Sequence, residues 1–406
     1  MHCQFCSLNR NKLIYFLIRE KEGKDLEMLR KSVQRLTVVI KHVKITANMC
    51  TSASDEVLFQ KIDTKGVITL NRPKALNALN LSMIRKIFPV LTEWENDPKT
   101  KMVIIKGAGD KAFCAGGDVR AVTEAGKVGD RLSQDFFKEE YILNNKIGTY
   151  EIPYIALING ITMGGGVGLS VHGAFRVASE KTVFAMPETA IGLFPDVGGG
   201  HFLPRLGGKL GIYLALTGFR LKGRDVHKAG VATHFVQDNK IEELEKSLLE
   251  MHDPTAQDIH HVLDKFQKNS TDIPDKDFIL AKDMEKINRL FDGKTMEEIY
   301  QNLEKDGSEW ATTQLNTLKK MSPTSMKVTL RQLLDGETMT LQDCLVMEYR
   351  ISQRCIEDQD FYEGVRAVLV DKDQSPQWKP AVIEGVTPQR VEWYFSPLPE
   401  ERELQL

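Results

Sequence analysis

Charge of one sign is scarce in this 406-residue chain: 54 Lys and Arg stand against 56 Asp and Glu, a formal net charge of −2. There is no global basic signature for nucleic acid, and no nucleic-acid partner is expected. The longest apolar run near the start, residues 13–18, is far short of the roughly twenty residues that cross a bilayer, so no membrane partner is expected either. The six cysteines (Cys3, Cys6, Cys50, Cys114, Cys344 and Cys355) lack the spacing with histidines that holds zinc. Free thiols in a reducing compartment are expected, with no metal site. A Gly-x-Ser-x-Gly elbow is missing, which argues against a serine hydrolase. Acid is missing from residues 28–54, where Arg30, Lys31, Arg35, Lys41 and Lys44 are basic and Val33, Leu36, Ile40 and Val43 gather on one side of a helical wheel. An acid-free, basic, amphipathic segment of this kind resembles a mitochondrial transit peptide, so residues 1–54 are expected to be a leader directing the chain to the mitochondrial matrix. Glu20, Glu22, Asp25 and Glu27 fit that pattern poorly, which makes Met28 a candidate start of a shorter product.

What is present is a hydrophobic content of 42%, enough for a large core, and glycine concentrated in two turns. Phe113-Cys114-Ala115-Gly116-Gly117-Asp118 and Met163-Gly164-Gly165-Gly166-Val167-Gly168 each follow a short apolar run, and each precedes a segment that reads as helix. Glycine has no Cβ and tolerates positive φ, so the peptide can approach a ligand closely, and a helix N-terminus adds partial positive charge. One such turn is most simply a tight connection, and neither fits the dinucleotide fingerprint. Two of them can bring two backbone N–H groups to one point, the recipe for an oxyanion hole. Around them, alternation at 57–62 and 66–70 predicts a hairpin with residues 63–66 as the turn. Helical periodicity follows at 81–94, and short apolar runs at 102–106, 154–158 and 174–177 alternate with helices. From residue 241 the pattern is mostly helical and charged.

The order of these turns resembles the crotonase (enoyl-CoA hydratase/isomerase) superfamily from about Leu58 to Val236. The landmarks are Leu70-Asn71-Arg72-Pro73 with Ala75-Leu76-Asn77-Ala78-Leu79, the two glycine turns, Met186-Pro187-Glu188, and Gly198-Gly199-Gly200 with Leu203-Pro204-Arg205-Leu206. The resemblance implies an α/β fold, a crotonase-like spiral of stacked β-β-α units over 55–240, followed by an enlarged C-terminal helical region over 241–406. Segment 242–341 is expected to cover the active site. The resemblance also implies an acyl-CoA partner whose thioester carbonyl sits between the N–H groups of Gly117 and Gly165. CoA is then part of the substrate and a product, and no other cofactor is expected. Arg72, Lys74 and Lys372 are candidates for its phosphates, and oligomeric state is left open.

The carboxylates bear on which reaction is run. Hydratases of the superfamily use two glutamates; the second is present as Glu188, whereas the first position is Gly168. Adding water across a C=C bond needs an acid and a base, so the loss argues against a hydratase. Asp196 supplies a different carboxylate. Its surroundings, from Pro187 to Gly200, resemble the family's hydrolases of short β-hydroxyacyl-CoA thioesters, as do Glu363-Gly364-Val365-Arg366 and Asp371-Lys372-Asp373. The resemblance implies that Glu188 does the attacking, by adding to the carbonyl or by activating water, and that Asp196 orients water or the substrate's hydroxyl. Plainer readings stand beside these: Asp196 as a helix N-cap, Glu188 as a turn residue. Glu140 lies near the centre of an apolar arc formed by Phe136, Phe137, Tyr141, Leu143 and Ile147, so it either contacts substrate or forms half of a buried pair. His172, Cys114 and His201 read as packing or rim residues. An enoyl-CoA hydratase or isomerase, and a noncatalytic binding protein on the same scaffold, are the alternatives.

Overall fold

The structure, a computed structural model, describes residues 55–406, so the expected leader at 1–54 lies outside the described residues. The chain opens on the hairpin β1 (Val57–Ile62) and β2 (Lys65–Leu70), paired antiparallel with Ile62 opposite Lys65. The turn is therefore only Asp63-Thr64, tighter than the alternation suggested, with Asp63 in the left-handed region at φ 53°. Aspartate accepts that conformation because its side chain can bond locally to the backbone.

Helix α1 (Leu81–Asn96) follows, its start fixed by Asn80, whose side chain accepts from the Met83 N–H. Such a cap contributes about 1 kcal/mol. Met83, Ile84, Ile87, Leu91 and Trp94 recur at helical spacing and are buried. The next elements are β3 (Met102–Gly107), β4 (Ala112–Cys114), α2 (Val119–Lys127) and α3 (Leu132–Gly148). A second round gives β5 (Tyr154–Ile158), β6 (Ile161–Met163) and α4 (Gly165–Val171), and a third begins with β7 (Phe175–Ala178) and β8 (Val183–Ala185). The short strands β9 (Leu221–Lys222) and β10 (His234–Phe235) complete two sheets, ordered β1-β2-β3-β5-β7-β10 and β4-β6-β8-β9. Each round lays one longer strand in the first sheet and one shorter strand in the second, with parallel neighbours from β2 to β10 in the first sheet and from β4 to β8 in the second, where β9 pairs antiparallel with β8. That winding is the spiral of β-β-α units.

Parallel strands covered on both faces read as unbroken apolar runs, and β5 is buried at every position. Val103, Ile105, Ala156 and Ile158 face the larger core with α1 and α3. Met102, Ile104, Ile155 and Leu157 face Leu244, Leu248, Ile259 and Leu263 of the helices Asp238–Glu250 and Ala256–Lys268. Each fully buried leucine there contributes roughly 1.5–3 kcal/mol. The expected division at 240/241 thus falls within the first of these helices, and residues just beyond it cover the back of the main sheet. Farther on, the helix Leu341–Glu357 packs on α3, and Pro323–Gly336 packs on the short helix Gly199–Phe202. The helix Asp360–Val365 then runs into a π-helical turn, Arg366–Val370.

Candidate active site

The two glycine turns meet. After β4 the backbone swings through Gly116, at φ 120°, and pairs briefly with Leu79. The Leu79 N–H donates to the Gly116 carbonyl and the Asp118 N–H donates to the Leu79 carbonyl, each at 2.8 Å. Those bonds use the peptide groups on either side of Gly117 and leave its own N–H directed the other way. After β6, Gly164 takes φ 44° and ψ −120°, a conformation that suits glycine, and α4 begins at Gly165. The Gly165 N–H is one of the unsatisfied donors of a helix's first turn. A Cβ built on Gly165 would stand 3.3 Å from the Gly117 nitrogen and 2.6 Å from Oε1 of Glu140. Glycine suits the point where the two turns and that carboxylate converge, because a side chain there would press on the Glu140 carboxyl and the Gly117 peptide.

Three carboxylates surround the same point. Glu140 comes from the middle of α3, Glu188 from the start of the 3-10 turn after β8, and Asp196 from the loop before Gly199–Phe202. Their exposures are 1%, 6% and 4%, yet all three line one cavity of about 380 Å³ whose apolar wall includes Phe136, Phe137, Leu193 and Leu369. Oε1 of Glu140 and Oε2 of Glu188 have no hydrogen-bond partner, and among the described residues no ion pair reaches any of the three. The fold therefore builds no buried pair for Glu140. Burial, together with the Asp196 and Glu188 charges, holds the Glu140 carboxyl well above the usual range; burial and the Asp196 charge do the same to Glu188. Asp196 is pushed up to about 7 by burial, against a hydrogen bond that Tyr141 Oη donates to its Oδ2 at 2.8 Å. It is not a helix cap: Gly198 occupies the N-cap position.

The Asp196 loop is held from outside the glycine turns. Val197 sits at φ 53°, a conformation costly for a β-branched residue. Its carbonyl lies 2.7 Å from Nε2 of His172, and the next N–H, that of Gly198, donates to Oε2 of Glu348 at 2.7 Å. Oε1 of Glu348 accepts from the Gly200 N–H and from Nε2 of Gln332, which also donates to the Pro195 carbonyl at 2.7 Å. Burial pushes the Glu348 carboxyl up to about 8, while the Gly198 and Gly200 N–H groups pull it down. The sequence pattern marks Tyr141 only as part of the apolar arc of α3 and carries no sign of Gln332 or Glu348 as supports of this loop. No local pattern marks Glu348, which lies 150 positions from Gly198.

Residues 65–395 match the family described as enoyl-CoA hydratase/isomerase. The chain belongs to this family. It is 62% identical over 376 residues to the Danio rerio protein named 3-hydroxyisobutyryl-CoA hydrolase, mitochondrial, covering 92% of this chain and 98% of that one. A Xenopus laevis protein of the same name is 63% identical over 382 residues, covering 94% and 98%. Among solved structures, a carnitinyl-CoA dehydratase from Mycobacterium thermoresistibile superposes with a TM-score of 0.79 at 36% identity, covering 87% of this chain and 99% of that one.

At Gly168, where the resemblance to hydratases leads one to expect a glutamate, the chain leaves no room for a side chain. A Cβ there would lie 2.7 Å from Nδ2 of Asn144 and 2.7 Å from Cβ of Val197, so no glutamate fits. The three candidates for the CoA phosphates lie outside this cavity. Arg72 is committed to the Ala78 carbonyl and to Asp118, and neither it nor the exposed Lys74 and Lys372 lines the cavity. Arg220, which no sequence motif marks, does. The cover is also supplied elsewhere than expected: Val368, Leu369 and Gln374 line the cavity, and no residue of 242–341 does. Cys114 is buried with its thiol pushed up to about 12, so it offers no thiolate near neutral pH. His172 is drawn down to about 4 by burial and is neutral, a support for the Val197 carbonyl; His201 is partly exposed.

Proposed function

We propose that this chain hydrolyses 3-hydroxyisobutyryl-CoA to the free acid and CoA in the mitochondrial matrix, a step of valine breakdown. The observation that carries the reading is the convergence of two N–H donors and three buried carboxylates on one cavity, with Gly168 too crowded for the first hydratase glutamate. The names of the Danio and Xenopus relatives supply the acyl group and the compartment.

In this reading the thioester oxygen accepts from the N–H groups of Gly117 and Gly165, where negative charge develops as the carbonyl carbon is attacked. Removing one such donor typically costs about 3–4 kcal/mol of barrier. An oxygen of Glu188 either bonds to that carbon, giving a mixed anhydride that water later opens, or takes the proton of a water that adds directly. In both routes the C–S bond breaks and the sulfur departs as CoA thiol. Asp196, titrating at about 7, can hold the proton the thiolate collects. Glu140 accepts the substrate's hydroxyl at the edge of the Gly165 turn. A thiolate is a good leaving group, so the chemistry calls on no metal or redox cofactor.

The test is CoA release, followed with a thiol reagent, from 3-hydroxyisobutyryl-CoA and from isobutyryl-CoA. Faster release from the hydroxylated substrate is expected, because a buried polar site rejects an analogue that leaves its groups unpaired. Equal rates would overturn the substrate assignment, and water addition to an unsaturated acyl-CoA without thioester cleavage would return the site to a hydratase.

A further inference from the structure

We propose that a second site, none of whose residues lines the catalytic cavity, binds a divalent zinc-class metal ion through His234, His260 and Asp264. His234 belongs to β10 at the edge of the main sheet and is 3% exposed, so its ring is fixed by the sheet. His260 and Asp264 lie one turn apart on the helix Ala256–Lys268 and so share a face.

The three ligand atoms gather around one point without bonding to each other. Nε2 of His234 lies 3.7 Å from Oδ1 of Asp264 and Nε2 of His260 lies 3.6 Å from its Oδ2, and one ligand atom from each of the three residues lies within 4.8 Å of the other two. Those separations are too long for hydrogen bonds. A tetrahedral ion with bonds of roughly 2.0–2.2 Å places neighbouring ligand atoms about 3.3–3.5 Å apart, so the two His–Asp approaches are near that spacing and the cluster as a whole must draw inward to reach it. A small closure of the half-exposed His260 ring completes three protein ligands and leaves a fourth position facing solvent.

The surroundings suit the same ligation. Nδ1 of His234 lies 2.9 Å from Oγ1 of Thr233, which is also 3.0 Å from the Arg176 carbonyl. With the hydroxyl proton directed at that carbonyl, Oγ1 accepts from Nδ1–H, and Nε2 presents a bare lone pair to the site. This is the outer hydrogen bond that sets the tautomer of a metal-bound histidine. The His260 ring stacks on Phe175 at 24°, which limits its swing. A bound ion would tie β10 to the helix that covers the back of the sheet.

The experiment uses the full chain, stripped with a chelator and then titrated with zinc chloride in competition with a chromophoric chelator. The wild type is expected to bind one zinc ion that Asp264→Asn and His260→Gln both lose, while His261→Gln, at an exposed neighbour outside the cluster, keeps it. Zinc should raise the melting temperature of the wild type and of His261→Gln only. Both ligand substitutions are at partly exposed positions, and an unchanged rate of CoA release shows that they fold. Cobalt(II) should give a tetrahedral d–d band without thiolate charge transfer, which separates this site from the cysteines. Equal zinc stoichiometry in the wild type and the two ligand variants, or no binding in the wild type, would overturn the proposal.

Discussion

Glu188 stands where a carboxylate is least comfortable, buried and close to a second negative charge, and its reactivity follows from that discomfort. With no hydrogen bond in the fold to satisfy Oε2, the group that would meet it is the substrate or its water. Glu188→Gln keeps the shape and removes the charge, so turnover is expected to fall at least about a hundredfold while KM changes little. Steady-state kinetics check this. The Asp196 charge helps to raise Glu188, so Asp196→Asn should lower turnover and also move the acid limb of the rate profile to lower pH. A helix cap would tolerate asparagine with an unchanged profile. Both residues stood out in the sequence through the resemblance of residues 187–200 to the family's motifs, since a carboxylate beside a turn reads by itself as a cap or a turn residue. What Asp196 bonds to did not, since its partner Tyr141 reaches it from another helix.

At the level of elements, the Asp196 loop is a splint between the spiral and the C-terminal helices. The carboxyl oxygens of Glu348, on Leu341–Glu357, accept from Gly198, Gly200 and Gln332 at once. In Glu348→Gln one acceptor becomes an NH2 facing N–H donors. An unsatisfied buried donor costs about 1–3 kcal/mol, so melting should come earlier. The loop then loses its hold on Val197, and kcat is expected to drop about tenfold with KM nearly constant. An equal fall in kcat/KM carried by KM alone would mean that the clamp shapes binding instead. The apolar arc at 136–147 disclosed α3, but nothing in residues 341–357 discloses that their partner is a glycine loop.

Over the whole molecule the buried carboxyls leave a mark on stability. Asp196 and Glu348 hold their protons up to about 7 and about 8 in the fold, above the ordinary carboxyl range of the unfolded chain. A group raised in this way binds its proton more tightly when folded, so its stabilising contribution is full below about pH 4 and is lost as pH rises through 7 and 8. Asp196→Asn has no proton to lose there. Its melting temperature relative to the wild type should therefore climb between pH 5 and pH 8, read by thermal unfolding at fixed ionic strength. An offset that stays constant across that range would show that Asp196 is not raised in the fold.

The sequence alone determined the two glycine turns, the carboxylates Glu140, Glu188 and Asp196, and the missing glutamate at Gly168, because a side chain's absence or its charge belongs to the residue itself. The tertiary structure decided what each of these meets. The pairing of Leu79 with the peptides around Gly117 sets the direction of its N–H, and Asn144 with Val197 closes the space at Gly168. Asp118 claims Arg72, and the turn at Arg366–Val370, not the helices before it, brings Val368 and Leu369 over the cavity. The clamp by Glu348 and the meeting of His234 with His260 and Asp264 are of the same kind. Each is a contact between residues far apart in the chain, fixed by how helices and sheets stack, and periodicity within one element carries no information about which distant element will cover it.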